Sequence, residues 1–585
     1  MSYTHPQQDA AFVLRHLIQF DDLCSQLNLQ EVNAELALTV LEEAGKLGAD
    51  VIAPLNREGD LQGASIDEQG VHEVKNFKAA YWQLAEGGWL SLTADENYGG
   101  QGLPNVLGTA VNEIWQSANL AFALCPLLSV GAMASISHHG SDWLKQTFLP
   151  RMTSGEWTGT MNLTESDAGS DLAAVKTRAV PDGDAYKITG QKIFITWGDH
   201  QMTENIVHLV LARLPDAPAG VKGISLFIVP KFNVDAAGTI TDRNAVNCLS
   251  IEHKLGIHGS PTCVMEFKDA TGYLVGEANK GLMYMFTMMN HARQAVGVQG
   301  LSISERAYQQ AVQYAKDRLQ GTRRDGSRIP IIEHPDVRRM LMSMKSSTEA
   351  MRALALTAAA EMDRAHCDNA AEHNARVELF TPIVKGWCTE LSLEMTSLNV
   401  QVHGGMGFIE ETGAAQHYRD ARILTIYEGT SGIQALDLVG RKTLMDGGKA
   451  LNNLLNEIQG IVDALEASHY PEASLTHELT KALAAGRQAL DLLLTRSQQD
   501  EHFAGSVSYS FMMLMGYLCG GWLMAKSALK AHELMSHSDE DGKFLVAKQV
   551  TARFFCEQLL PRTASYLSAI ESGSACTMAL SNEQF

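Results

Sequence analysis

Three short runs carry residue types that could do acid–base or redox chemistry. The first is Met161-Asn162-Leu163-Thr164-Glu165-Ser166-Asp167-Ala168-Gly169-Ser170-Asp171-Leu172. Small residues and hydroxyls in a turn can present backbone N–H groups to an anion or to the polar edge of a ring. The same composition also makes an ordinary polar turn capped by Ser and Asp. The second run is Gln191-Lys192-Ile193-Phe194-Ile195-Thr196-Trp197-Gly198. It sets Phe194 and Thr196 two residues apart, which on a strand puts both on one face. An aromatic ring beside a hydroxyl suits a flat heterocycle, and a half-buried strand needs the same pattern. The third run, Ile426-Tyr427-Glu428-Gly429-Thr430-Ser431-Gly432-Ile433-Gln434, places one carboxylate in a largely uncharged stretch. An apolar setting would raise the pKa of Glu428 and make it a better base near neutral pH. A carboxylate before Gly is also a common helix-end residue.

The elements that must position these runs follow from the apolar period, which changes three times along 585 residues. From Ala11 to about Leu149 it is mostly helical, as in Leu36, Val40, Leu41, Ala44 and Leu47. From about Gly155 to Gly272, short β-branched or alternating runs separated by Gly, Pro and Asp predict an antiparallel β domain. Helical periodicity returns near Lys280, where Val337, Met340, Leu341, Met344, Met351 and Leu354 form a core stripe. After Asp446-Gly447-Gly448 a further helical region follows. The expected domains are 1–155 (α), 156–275 (β), 276–445 (α) and 446–585 (an additional helical domain). The uncharged run Phe503–Ala525 is long enough to span a bilayer and has Gly516 and Gly520 in GxxxG spacing. Its Ser, Tyr and Gly content and the absence of flanking basic clusters favour a buried helix, not an integral membrane segment.

Composition excludes several classes. Hydrophobic residues at 45% and charged ones at 19% rule out a disordered chain, and the length predicts about three to four domains. The balance of 46 basic against 67 acidic residues, −21 with His neutral, gives no general affinity for nucleic acid or an anionic membrane. Nine scattered cysteines without a CxxC pair fit a reducing compartment and argue against a zinc site, so no metal is expected. No GxGxxG follows a strand and no GxxxxGK[ST] occurs, which removes the main support for nicotinamide or nucleoside-triphosphate binding.

Five motifs in register resemble those of the acyl-CoA dehydrogenases: Leu163–Leu172, Gly190–Gly198, His291–Leu301 (HARQAVGVQGL), Gln401–Phe408 (QVHGGMGF) and Arg419–Gln434 (RDARILTIYEGTSGIQ). The added C-terminal helices and the phrase Glu204–Pro215 look like the long bacterial subgroup, which includes 3-methylmercaptopropionyl-CoA dehydrogenases and several fatty-acyl-CoA dehydrogenases. The resemblance implies an α+β fold: an N-terminal helical domain, a central β domain, a C-terminal helical bundle and an extra helical domain. It implies FAD-dependent conversion of an acyl-CoA to its trans-2-enoyl-CoA, in fatty-acid β-oxidation or 3-methylmercaptopropionyl-CoA catabolism. Electrons would pass to electron-transfer flavoprotein.

By the same resemblance Glu428 is the catalytic base, and Ser170, Arg293, Tyr427, Glu428 and Gly429 meet the substrate. Met161, Leu163, Thr164, Ser170, Phe194, Thr196 and Thr430 match FAD contacts within the chain. Arg318, Gln320, Gln401, Gly404 and Gly405 match positions that reach the FAD of a neighbouring subunit. Phe194 stands where many members have Trp. Gly432 and His258 replace a frequent Gln and Arg, and the region Gln320 to Arg328 lacks the usual Phe-Gly, carrying Arg323, Arg324 and Arg328 instead. That basic loop is expected either to meet CoA or FAD phosphates or to be solvated. The expected assembly is a homodimer, cytoplasmic in a bacterium or peripheral to its inner membrane. Two alternatives accompany this reading. One is an acyl-CoA oxidase in which O₂ reoxidises the flavin; the other is a non-enzymatic nucleic-acid-binding member of the fold, which −21 and a retained Glu428 disfavour.

Overall fold

The computed structural model describes residues 3–367, 370–468, 470–535 and 541–585. The N-terminal region is helical and includes α1 (Ala34–Leu47), α2 (Asn105–Ala118) and α3 (Leu120–His139). Helix α1 begins at Asn33, whose side chain accepts the backbone N–H of Leu36, and buries Ala37, Leu41 and Ala44. A two-stranded hairpin, Ser65–Asp67 with Gly70–His72, interrupts the helices. Its strands are too short for an alternating pattern to register in the sequence.

The central domain is a seven-stranded sheet of β1 (Trp157–Asn162), β2 (Arg178–Asp182), β3 (Ala185–Thr196), β4 (Asn205–Arg213), β5 (Ile224–Pro230), β6 (Val246–Ile251) and β7 (Thr262–Val275). The order is β6-β7-β3-β2-β4-β1, and β5 pairs with both β7 and β4, so five strands close on themselves. Most pairs are antiparallel, as the turn-separated runs predicted. The exceptions are a single parallel contact of β2 with β4, Arg178↔Arg213, and the pairing of β1 with β4, parallel from Trp157↔Asn205 to Asn162↔Val210. Strands β1 and β4 are joined by a long excursion through β2 and β3, and no tight turn constrains their relative direction.

The second helical region contains α4 (Gly281–Asp317), α5 (Pro335–Arg364), α6 (Ala370–His403) and α7 (Ser431–Val439). Helices α4 and α6 run parallel, with Gly297 beside Val384, Gly300 beside Cys388 and Tyr314 stacked on His403 at 4.1 Å between ring centroids. A Cβ at Gly300 would lie 2.6 Å from the Cys388 carbonyl oxygen, so only glycine permits this approach of backbones. The Met stripe lies on α5, with Met340, Leu341, Met344, Met351 and Leu354 buried.

The last region adds α8 (Lys449–Ala467), α9 (Ala473–Arg496), α10 (Phe503–Leu534), α11 (Gly542–Phe554) and α12 (Arg562–Ser572). The apolar run Phe503–Ala525 lies on α10, where 89% of the most apolar window is buried inside the protein, as expected of a core helix. Helix α3 is also long and apolar, and 83% of its window is buried. A buried ionic cluster ties this region to the rest. Lys548 of α11 binds Asp9 (2.6 Å) and Glu349 (3.0 Å), while Arg352 of α5 binds Asp9, Glu113 (2.8 Å) and Glu305 (2.7 Å).

Candidate active site

Glu428 sits in the loop between a 3₁₀ turn, Arg422–Thr425, and helix α7. Its φ is +55°, in the left-handed region, and Gly429 follows at +92°. A non-glycine residue there is strained and persists only when its surroundings hold it. Four contacts do so. Gln434 Nε2 donates to the Glu428 carbonyl (3.1 Å) and Lys385 Nζ to the Gly429 carbonyl (2.6 Å). Tyr427 Oη donates to Gln299 Oε1 of α4, and Ser431 Oγ to Glu390 Oε1 of α6 (2.5 Å). Thr430 caps α7, its hydroxyl accepting the N–H of Ile433 (3.3 Å).

The electrostatics match this placement. Burial pushes the Glu428 carboxyl up to about 7, while the nearby cations of Arg293 and Lys385 oppose the shift. Arg293 is itself buried, 3.9 Å from Asp437, and its Nε has no partner among the described residues. Burial also pushes Lys385 down to about 8, against the pull of Glu428 and Glu390. Sequence reasoning missed Lys385 and Glu390. A lone lysine within the otherwise uncharged run Leu379–Thr389 was the signal for the first.

The other two runs form one unit. Between Lys192↔Met265 and Ile195↔Cys263, strand β3 carries one extra residue, a bulge at Ile193–Phe194 where Phe194 has φ +59°. The bulge shifts the alternation, so Lys192 and Ile195 are both buried while Phe194 is 59% exposed and Thr196 half-buried. Phe194 and Thr196 therefore share the accessible side, although a regular strand is not what places them there. The Ile193 N–H donates to Thr164 O (2.9 Å), joining the first run to the second. Beneath them Lys192 Nζ binds Leu163 O (2.9 Å) and Glu165 Oε1 (2.8 Å). Glu165 also accepts the N–H groups of Lys176 and Thr177 and the Thr177 hydroxyl. Met161 and Thr164 are half-buried, Leu163 is buried and Ser170 is exposed. An uncovered aromatic beside a hydroxyl, at the mouth of a braced turn, fits one face and edge of a flavin. Lys192 and Glu165 lay inside the quoted motifs, yet a buried pair 27 residues apart has no local signature.

Helix α3 packs between this sheet and α4: Trp197 Nε1 donates to Ala121 O (3.1 Å), Gly159 N to Ser129 Oγ (3.0 Å), and Gly131 lies against Met288. Beside α4 a narrow cavity of about 80 Å³ is lined by Trp89, Trp115, Pro126, Val130, Gln294 and Val298 among others. The remaining sequence-derived residues, Arg318, Gln320, Gln401, Gly404 and Gly405, are exposed and gather at the common C-terminal end of α4 and α6. Sixteen residues of helix separate Lys385 from Gln401, about 24 Å at 1.5 Å per residue. A Cβ at Gly404 or Gly405 would meet nothing within 4 Å. The basic segment after Arg318 is a hairpin, Leu319–Thr322 with Arg328–Pro330. Arg323 pairs with Glu333 and Arg328 donates to Leu319 O (2.7 Å), so two of its three arginines are engaged internally. His258 contacts the backbone carbonyls of Asp60 and Lys254, and Gly432 is exposed in the first turn of α7.

Comparison with known proteins matches the whole length. Residues 36–156, 160–270 and 279–443 match the N-terminal, middle and C-terminal domains of acyl-CoA dehydrogenases, and 454–581 match an acetyl-CoA dehydrogenase C-terminal-like domain. The chain is 47% identical to 3-methylmercaptopropionyl-CoA dehydrogenase of Ruegeria pomeroyi, over 97% of this chain and 98% of that one. It is 34% identical to a broad-specificity linear acyl-CoA dehydrogenase of Mycobacterium tuberculosis, over 97% of each. Among solved structures, Caenorhabditis elegans ACDH-11 in complex with C11-CoA superposes with a TM-score of 0.76 at 20% identity (96% of this chain, 92% of that one). A Bacillus anthracis acyl-CoA dehydrogenase complexed with FAD gives 0.75 at 22% (92% and 88%).

Proposed function

The chain belongs to the acyl-CoA dehydrogenase family, an FAD-binding one, and on that footing we propose that Glu428 is the base of an acyl-CoA α,β-dehydrogenation. The observation that carries this reading is a strained, braced carboxylate whose burial raises its pKa to about 7, between two buried cations. A base of that pKa is part-ionised at neutral pH and strong enough to share the α-proton of a thioester. When bound, FAD supplies the acceptor for the hydride that leaves Cβ.

The chain's own residues do the rest. The Glu428 carboxylate removes the α-proton, and its backbone N–H is aimed at the thioester oxygen, where charge develops as the proton leaves. Tyr427, Gly429 and Arg293 complete the substrate side, together with Ser170 from the separate, exposed turn after β1. Met161, Leu163, Thr164, Phe194, Thr196 and Thr430 hold the flavin. Arg318, Gln320, Gln401, Gly404 and Gly405 serve the FAD of a second subunit in a homodimer. Their separation from Glu428 along two rigid helices, and an open glycine surface, support that division of labour. The acyl chain enters the cavity between α2, α3 and α4. Near-full-length identity of 47% supports 3-methylmercaptopropionyl-CoA as substrate, with electron-transfer flavoprotein as acceptor.

Anaerobic mixing of the purified yellow protein with 3-methylmercaptopropionyl-CoA, butyryl-CoA and longer acyl-CoAs tests this. Bleaching of the flavin, fastest with the short thioether substrate, is expected. A flavin that no acyl-CoA bleaches would refute the activity. Rapid reoxidation by air, instead of by electron-transfer flavoprotein, would make the protein an oxidase.

A further inference from the structure

Helix α10, from the additional C-terminal region, lies directly behind the base loop. Met512 of α10 fills the space over Gly386 of α6, where an added Cβ would come within 2.1 Å of the Met512 sulfur. Gly516 in turn makes room for Trp387. On the next turn of α6 the half-buried Glu390 is held from both sides. Tyr509 Oη of α10 donates to Oε2 (3.2 Å), and Ser431 Oγ of α7 donates to Oε1 (2.5 Å). The Ser431 hydroxyl also lies 3.5 Å from Thr425 O, so it ties together the two ends of the loop that carries Glu428.

Resting on the reading of Glu428 as base, we propose that Glu390 is a positioning residue through which the C-terminal helical region, by way of Tyr509, fixes the loop bearing the base. Each carboxylate oxygen is used by a different element, one in the extra region and one at the loop's exit. Hydrogen bonds to an ionised acceptor are the strong ones, so the carboxylate is suited to holding two elements in fixed relation. Placement of a reacting group to within an ångström is worth up to about a hundredfold in rate. The other restraints on the loop, from Lys385 of α6, Gln434 of α7 and Gln299 of α4, all come from outside the extra region. Arg293 comes from α4 and Lys385 from α6, while Asp437 at the end of α7 is engaged by Arg441 (2.5 Å).

The test uses the full chain with bound FAD and the variants Tyr509→Phe, Glu390→Ala and Glu390→Gln, read by flavin content, substrate KM and the rate of anaerobic flavin reduction per bound flavin. Hydrogen exchange over residues 425–431 adds a readout independent of turnover. Glu390→Ala should slow reduction at least tenfold with KM within twofold and with faster exchange in the loop. Tyr509→Phe should slow it about threefold, and Glu390→Gln, which keeps a hydrogen-bonding group at each end, should recover to within threefold of the parent. Unchanged rate and unchanged loop exchange in Tyr509→Phe would overturn the proposal. So would a loss in Glu390→Ala that tracks flavin content alone. If Glu390→Ala does not fold, Tyr509→Phe and Ser431→Ala decide. A parent protein that no acyl-CoA reduces would instead refute the function, and loop exchange would still report the coupling.

Discussion

Lys385 Nζ lies 2.6 Å from the carbonyl oxygen of Gly429, the residue immediately after Glu428. A fully buried ammonium thus grips the backbone beside the base and adds a positive field at its carboxylate. Both consequences are measurable.

The first concerns pH. With the Glu428 carboxyl raised to about 7 by burial, the ionised base is lost as pH falls through 7. The rate of flavin reduction divided by KM should therefore rise with pH around a midpoint near 7 in the free enzyme. For stability the sign is opposite. The folded carboxyl holds its proton more tightly than the unfolded one, so this group's contribution declines as pH rises from about 4.5 to 7. Stopped-flow reduction across pH 5–9 checks the first statement, and a midpoint near an ordinary carboxylate value would contradict it.

Removing the Lys385 charge should move that midpoint. The cation lowers the Glu428 pKa, so Lys385→Met should raise the reduction midpoint by about one unit. Flavin content should be retained, because Lys385 is on the base side of the site. An unmoved midpoint in a folded, yellow variant would remove Lys385 from the account.

Lys192 tests the flavin side. Its Nζ bridges Leu163 O and Glu165 beneath the bulge that exposes Phe194. Lys192→Met leaves a buried carboxylate without its cation, a loss of about 3–5 kcal/mol. FAD affinity, measured by flavin fluorescence during titration of the apoprotein, should fall at least tenfold. The same affinity with the same thermal midpoint would show that the bridge does not shape the flavin turn.

Arg352 tests what joins the regions. It is buried against Asp9, Glu113 and Glu305 from three separate segments. Arg352→Met should destabilise by about 3–5 kcal/mol and lower Tm by several degrees, since three carboxylates lose their shared partner. A Tm within one degree of the parent would show that the cluster has rearranged around other cations.

How far the sequence led depends on the range of each interaction. The four regions were readable because helix and strand periods are local, whereas Glu428 was singled out by the resemblance of Arg419–Gln434 to a family motif and not by its local composition. Phe194 and Thr196 were rightly put on one side, though by a bulge that alternation does not announce. The parallel pairing of β1 with β4 was not readable because a strand's own residues do not state its partner's direction, and the hairpin after Arg318 because strands of four and three residues carry little pattern. Lys385, Glu390, Lys192 and Glu165 act across 27 to 119 residues of chain. Only the folded arrangement of α6, α7 and α10, and of β3 against the turn after β1, brings such partners together.

The central claim is that Glu428 takes the proton, and anaerobic mixing of Glu428→Gln with its acyl-CoA tests it most directly. The glutamine keeps the size and the backbone of the loop but cannot act as a base. The variant should retain its FAD and yellow colour and fail to bleach. Bleaching at a rate near that of the parent would place the base at another residue.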